Sequence, residues 1–316
     1  MGAEALGESA GSLDIGSNTV RVLVARMVGG RPVRILDTGA FARLADGLAE
    51  TGRLSDQRMA RALELVREYS EAARRSGARR LYPFCTAAVR QASNGTEFAQ
   101  RVSEAAGAPA RVLTGQEEAC WAFVGATQAL SVDGEAVVLD IGGGSTELVM
   151  GRGGRVRYAE SYLVGSRSLG QALPHCLGPL DELGVERLVA SAGGVLDDHG
   201  VPRCRQGDGV VIGTGGTFTV LAALAQRMEV YDAERVQGYA LSWASIHAIL
   251  ARAASVGLEE RGRLLRVDPD RADVIVPGAA LALAIIERLP ARAVVVDTYG
   301  VRLGAILAGT GQEAPA

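Results

Sequence analysis

The sequence contains no lysine, so each of its 33 basic side chains is an arginine. That excludes Schiff-base chemistry and the lysine-dependent P-loop, and it leaves many guanidinium forks suited to bidentate phosphate contacts. Biased genome composition is a simpler cause than selection for function. Aromatic residues make up only 4% of the chain, which is poor material for base stacking. The four cysteines, Cys85, Cys120, Cys176 and Cys204, have neither paired nor metal-ligand spacing, so buried structural thiols are expected rather than a disulfide framework. His175, His199 and His247 also lack metal-like spacing and read as surface or packing residues. The longest uncharged apolar run, Ile275 to Ile286, contains Pro277 and falls well short of the roughly 20 residues of a membrane span. The opening "MGAEALGESAGS" has neither the basic start nor the apolar segment of a secretory signal, so a cytoplasmic protein without membrane association is expected. A net charge of −3 argues against a general nucleic-acid binder.

What is present is a chain of 316 residues with 48% apolar content, enough for about two domains with sizeable cores. "SLDIGSNTVRVLVARMV" (12–28) reads as strand, tight turn and strand, and "RPVRILDTGAFARL" adds a third strand. "LSDQRMARALELVREYSEAARRSG" carries Met59, Leu63, Val66 and Tyr69 at helical spacing, with Asp56 in its first turn and Gly77 as a stop. Helices and strands then alternate to about position 130. At Val137 the pattern restarts with strand, glycine turn, strand, polar turn, strand and a helix near Ser166. Helices and a strand are expected through "GVERLVASAGGVL". "GVVIGTGGTFTVLAALAQR" reads as strand, glycine-threonine turn and helix. Helices around Ser242 to Ala253 and Ala279 to Arg288, a strand "RAVVVDTYG" and a last helix close the chain.

"LDIGSNTVRVLV" at Leu13 and "LDIGGGSTELVM" at Leu139 share, position for position, an Asp-Ile-Gly start, a small polar turn and an apolar exit strand, 126 residues apart. A repeat at that spacing means duplicated domains rather than a solenoid, whose periods run about 20–50 residues. The expected division is 1–127 for the first domain and 128–316 for the second, with the last helix free to pack back on the first.

Three glycine turns, "DIGSNT", "DIGGGST" and "GTGGT", can present consecutive backbone N–H groups to phosphate oxygens. Their candidate residues are Gly16, Ser17 and Asn18; Gly142, Gly143, Gly144 and Ser145; and Gly213, Thr214, Gly215, Gly216 and Thr217. Asp140 ends one strand and Glu147 lies just inside the next, so a hairpin returns both carboxylates to one end of the sheet. Hard oxygen ligands in that position suit Mg²⁺, and Asp14 is the matching carboxylate of the first half. Both aspartates could instead cap their turns locally. Of Glu117 and Glu118 one can cap a helix and the other orient a water on phosphorus. Arg21, Arg90 and Asn94 are candidate phosphate contacts. Cys85 and Arg90 are one residue too close for a phosphatase cysteine loop.

Taken in order, Asp14-Ile-Gly-Ser-Asn-Thr, the run from Thr86 to Asn94, Gly115-Gln-Glu-Glu-Ala119, Asp140-Ile-Gly-Gly-Gly-Ser-Thr-Glu147 and Gly213-Thr-Gly-Gly-Thr217 resemble the exopolyphosphatase and guanosine pentaphosphate phosphohydrolase family from Leu13 to about Leu307. The resemblance implies an α/β protein of two ribonuclease-H-like, actin-like ATPase domains flanking a cleft, and a homodimer. It implies Glu118 as general base, Asp140 and Glu147 as metal- and water-positioning carboxylates, and the glycine turns with Arg90 as the polyphosphate carriers. The implied reaction is Mg²⁺-dependent removal of terminal phosphate by in-line attack of water.

Two departures qualify that picture. The family's closing Ser-Asp-x-Gly-Leu-Arg-Glu-Gly stands here as "DTYGVRLG" (297–304), without its Ser and Glu. The C-terminal helical domains of longer members are also missing, which points to shorter polyphosphates as substrate. Guanosine pentaphosphate is the alternative substrate, with sparse aromatics slightly favouring polyphosphate. Two rival functions share the same fold: a kinase of the superfamily, and a non-catalytic alarmone or polyphosphate sensor. The close match of the Glu-Glu-Ala motif argues against the kinase, and the intact carboxylates argue against the sensor.

Overall fold

The computed structural model describes residues 8–203, 209–289 and 291–311. They form two compact α/β units. The first takes the chain up to Asp133, Gly154–Ala159 and everything from Tyr299; the second takes Gly134–Gly153 and Glu160–Thr298.

The first stretch runs β1 (Ala10–Ile15), β2 (Thr19–Val28), β3 (Arg31–Phe41), α1 (Leu48–Thr51), α2 (Asp56–Arg75), β4 (Arg80–Cys85), α3 (Ala87–Gln91), α4 (Gly95–Ala106), β5 (Arg111–Val112) and α5 (Gly115–Leu130). The sheet order is β3-β2-β1-β4-β5, with β1 antiparallel to β2 and parallel to β4. Both faces are covered, so β2 runs apolar and buried without a break from Val22 to Ala25 rather than alternating with polar residues. Val20, Val22 and Val24 join Met59, Leu63 and Val66 of α2 on one face, while Leu23 and Ala25 turn to the other. The helix expected from Met59 to Tyr69 is α2, and the Ser55 hydroxyl caps it by accepting from Arg58 N.

The second stretch runs β6 (Glu135–Ile141), β7 (Thr146–Arg152), β8 (Arg155–Tyr162), α6 (Ser166–Ala172), α7 (Glu182–Asp198), β9 (Val210–Thr214), α8 (Gly215–Ala225), α9 (Ala233–Val236), β10 (Ala240–Ser242), α10 (Trp243–Ala254), α11 (Leu258–Leu264), α12 (Ile275–Ile286) and β11 (Ala293–Val296). Its sheet order is β10-β11-β9-β6-β7-β8. Leaving aside the edge strand β10, this repeats the first sheet, since β6 is antiparallel to β7 and parallel to β9. The apolar run flagged in the sequence is α12, buried along its whole length. It is hydrophobic all round because α6, α7 and α10 all pack against it. No helix among the described residues is long and apolar enough to cross a membrane.

The last helix, α13 (Gly300–Gly309), belongs to the first unit. It packs on α5 so closely that a Cβ at Gly304 would lie 2.1 Å from the Trp121 carbonyl oxygen. Only glycine allows that backbone approach. With α5 it covers the second face of the first sheet, around Leu23, Ala25 and Phe84.

The strand expected within "GVERLVASAGGVL" is absent. Those residues lie in α7, where Val185, Leu188, Ala192 and Leu196 are buried at helical spacing behind an Asp181 N-cap, and the glycine pair at 193–194 does not interrupt the helix. The short elements β10 and α11 were not expected. Cys85 and Cys176 are buried and Cys120 partly so, all with free thiols, while Cys204 lies outside the described residues.

Candidate functional site

In the first unit the β1–β2 turn closes with Gly16 N donating to Thr19 O at 3.0 Å. Its carbonyls are tied from behind: Asn18 O accepts from the amides of Ala42 and Arg43, and Ser17 O from Ala45. Among the described residues the Ser17 and Asn18 amides then donate to nothing, and buried Asn18 Oδ1 has no hydrogen bond. Such a turn offers N–H groups to an anion.

Asp14 sits directly opposite Arg21 across this hairpin. Burial pushes its pKa up to about 6, against the opposing pull of Arg302 and Arg21. Arg21 Nη2 also reaches Asp37 at 3.5 Å. Burial opposes the charge on Asp37, yet Arg302, Arg21 and Arg34 together hold its carboxyl below the usual range.

Thr114 and Glu117 form a reciprocal capping box, with Thr114 N donating to Glu117 Oε2 at 2.8 Å and Glu117 N to Thr114 Oγ1 at 3.1 Å. That assigns the cap to Glu117 and leaves Glu118, one residue on and buried, facing Arg90. Arg90 Nη1 donates to Glu118 Oε2 at 3.0 Å and to the Leu113 carbonyl at 2.7 Å. Burial pushes Glu118 up to about 7; Arg90 works against the shift and nearby Asp14 adds to it. Burial and Asp14 also push the Cys85 thiol up to about 12, so it stays protonated near neutrality.

Asn94 does not belong with these residues. Its Nδ2 donates to Leu54 O at 3.0 Å and its Oδ1 accepts from Leu54 N at 2.9 Å, so the amide is spent clamping a loop. Being one helical turn from Arg90 does not bring the two side chains to a common target.

In the second unit the β6–β7 turn repeats the first, with Gly142 N donating to Ser145 O at 3.0 Å. Gly142 O accepts from Ser166 N and Gly143 O from Arg167 N, so the start of α6 fixes the loop while the Gly143 and Gly144 amides donate to nothing among the described residues. Asp140 lies directly opposite Glu147, so the two buried carboxylates share one face of the sheet. Ser161 Oγ donates to Glu147 Oε1 at 2.7 Å. Given the offset of 126, Glu147 occupies the position that Arg21 holds in the first hairpin.

Gly213 and Thr214 end β9 beside Leu139 and Asp140, and Gly215, Gly216 and Thr217 open α8. Gly215 has φ +83°, and a Cβ there would fall 2.3 Å from Asp140 Oδ1. Glycine is therefore required for the carboxylate to lie against the start of α8. Thr217 Oγ1 donates to Ile141 O at 3.2 Å, which ties the third glycine segment to the second.

One residue here went unread in the sequence. A Cβ on Gly216 would stand 2.4 Å from Arg271 Nη1 and Nη2, so this guanidinium lies over the first turn of α8 while its Nε donates to Asp268 at 2.7 Å. Its only sequence signal is an arginine in a turn before an apolar helix.

No three His, Cys, Asp or Glu side chains among the described residues gather as a metal cage. The Asp140–Glu147 pair nonetheless fits a divalent cation. Both present hard carboxylate oxygens on one face, and Mg²⁺ takes one or two carboxylates together with water and substrate oxygens.

The Ppx/GppA phosphatase family pattern matches residues 23–313. Exopolyphosphatase 2 of Mycobacterium tuberculosis (strain CDC 1551 / Oshkosh) is 30% identical over 303 residues, covering 89% of this chain and 91% of that protein. A guanosine-5'-triphosphate,3'-diphosphate pyrophosphatase of Aeromonas salmonicida (strain A449) is 28% identical over 287 residues, covering 88% of this chain and 54% of that protein. The crystal structure of the Aquifex aeolicus member of the Ppx/GppA protein family superposes with a TM-score of 0.79 at 30% identity, covering 98% of this chain and 99% of that one.

Proposed function

The chain belongs to the Ppx/GppA phosphatase family, and on that footing we propose that it is an exopolyphosphatase, a hydrolase that removes the terminal phosphate of inorganic polyphosphate. The observation that carries the reading is Glu118: a carboxylate held by a guanidinium, with its pKa pushed up to about 7, is a base matched to neutral pH. In this reading Glu118 takes the proton of the attacking water. Arg90 keeps Glu118 in place and offers its remaining N–H groups to a phosphate oxygen. The free amides at Ser17 and Asn18, and at Gly143 and Gly144, bind further phosphates, and Arg21, Ser145 and the segment from Gly213 to Thr217 join them.

Asp140 and Glu147 would hold Mg²⁺, with Asp14 added as the matching carboxylate of the first half. Bound Mg²⁺ offsets charge on the phosphoryl oxygens during displacement. Asp14 has guanidinium groups as neighbours and is the weaker fit of the three. A cytoplasmic homodimer completes the reading and rests on the sequence alone.

Guanosine pentaphosphate is the second substrate to test, because a relative carrying that activity in its name matches 88% of the chain. The chain spans only 54% of that relative, and its aromatic content of 4% is poor in residues that would stack on a base, which favours polyphosphate. Phosphate release from short polyphosphate, long polyphosphate and guanosine pentaphosphate, measured in parallel with Mg²⁺ or chelator, ranks the substrates. No release from any of the three by folded protein overturns the hydrolase reading in favour of a sensor.

A further inference from the structure

We propose that the first unit carries a second binding site, for a small amphipathic anion, at the end of its sheet away from Asp14. Ala10 opens β1 beside Ala25 of β2 and Arg80 of β4, four residues back from Asp14. At about 3.3 Å per residue that is about 13 Å along the strand. A cavity of about 270 Å³ lies there, roofed by α13.

Its walls are of two kinds. Met27, Leu303 and Ile306 give it an apolar side, while Arg26 and Arg80 give it positive charge. A third arginine at the rim, Arg79, is already engaged with Glu8 at 2.8 Å. The side chains of Arg26 and Arg80 make no hydrogen bond or ion pair among the described residues, and Arg26 Nε is buried with nothing to accept its proton. A buried donor left in that condition is costly, and an anion in the cavity removes the cost.

The ligand follows from those walls. A planar guanidinium fork suits a carboxylate or phosphate monoester head, and the apolar side suits a hydrocarbon body. A cavity of about 150 Å³ takes benzene, so this one takes an anion of roughly ten non-hydrogen atoms. Polyphosphate has no apolar part and is not the occupant, which separates this site from the one that would cleave it.

Octanoate and inorganic phosphate serve as probes, followed by calorimetry and by the Arg Nε–Hε resonances of ¹⁵N-labelled protein. The expected result is saturable octanoate binding that shifts the Arg26 signal, with inorganic phosphate much weaker at the same resonance. Arg26→Gln should weaken octanoate at least about tenfold, as loss of a charged hydrogen bond does, and leave phosphate release from polyphosphate unchanged. Arg80→Gln, at an exposed residue, provides the same test should the first variant fold poorly. The proposal is overturned by absence of octanoate binding to wild type, by equal binding in a folded Arg26 or Arg80 variant, or by loss of binding in Arg90→Gln instead.

Discussion

Arg90 holds Glu118 through a single nitrogen: Nη1 reaches Oε2 at 3.0 Å, while Nε and Nη2 make no hydrogen bond among the described residues. One guanidinium can therefore steady the base and meet a phosphate at once. A phosphate on Arg90 offsets the charge that holds the Glu118 pKa down, so substrate binding makes Glu118 more basic.

Glu118→Gln keeps the shape and an acceptor for Arg90 but cannot take a proton. Phosphate release should fall by about 10²–10⁴ with polyphosphate binding retained. A loss of less than tenfold in a turnover assay at saturating Mg²⁺ would remove Glu118 from the base role.

The base acts when deprotonated, so kcat/KM should rise with pH through about 7 and level off above it. Arg90→Gln removes the charge that opposes the burial effect and should move this acid limb upward. A pH profile of the variant with an unmoved limb would mean that Arg90 serves the substrate alone.

The two hairpins differ where it matters for a metal. Asp140 faces Glu147, whereas Asp14 faces Arg21. Asp140→Asn should raise the Mg²⁺ concentration for half-maximal activity at least about tenfold, since losing even an outer-shell partner of a metal ligand costs about that much. Asp14→Asn should raise it less, and Mg²⁺ titration of both variants decides the order.

Asp14 also links stability to pH. Folded, it takes up its proton at about 6, against 3.8 as its ordinary value, so the folded state binds more protons between those values. The stability from its neutral form is present below 3.8 and is lost as pH rises through about 6. Asp14→Asn should gain on wild type between pH 5 and pH 8 by about 1–2 kcal/mol. Urea midpoints at the two pH values measure the gain, and one that shrinks with rising pH contradicts the sign.

Arg261 is fully buried and among the described residues has only carbonyls as hydrogen-bond partners, donating to Ala253, Val256, Cys176, Gly178 and Ala272. Arg261→Met leaves these acceptors dry and should cost about 3 kcal/mol or more in a denaturant melt. Ala272 follows Arg271, so loosening of the turn over α8 should accompany the loss.

The duplication was legible because each copy opens with the same strand, turn and strand, and Asp14 and Asp140 recur at a fixed offset in sheets of the same order. The helix from Met59 to Tyr69 was legible for the same reason: a strong period. Glu117 and Glu118 could not be told apart until the capping box claimed one of them. Arg271 was hidden because its contact with Gly216 spans 55 positions, and no local pattern encodes such a meeting. Asn94 misled in the opposite way, as closeness along the chain to Arg90 was no guide to what its amide would bind. The strand expected within "GVERLVASAGGVL" gave way to α7, which runs through the glycine pair at 193–194 and is held by burial of Val185, Leu188, Ala192 and Leu196.

The first unit is assembled from both ends of the chain. Its strands leave the ribosome first, but α13, which covers Leu23 and Ala25, leaves last, after the whole second unit through Thr298. During synthesis that apolar face has only α5 over it while the second unit already has all of its own strands and helices. A chain released before Gly300 therefore carries a partly open apolar face on its first sheet, the kind of surface that chaperones hold and proteases remove.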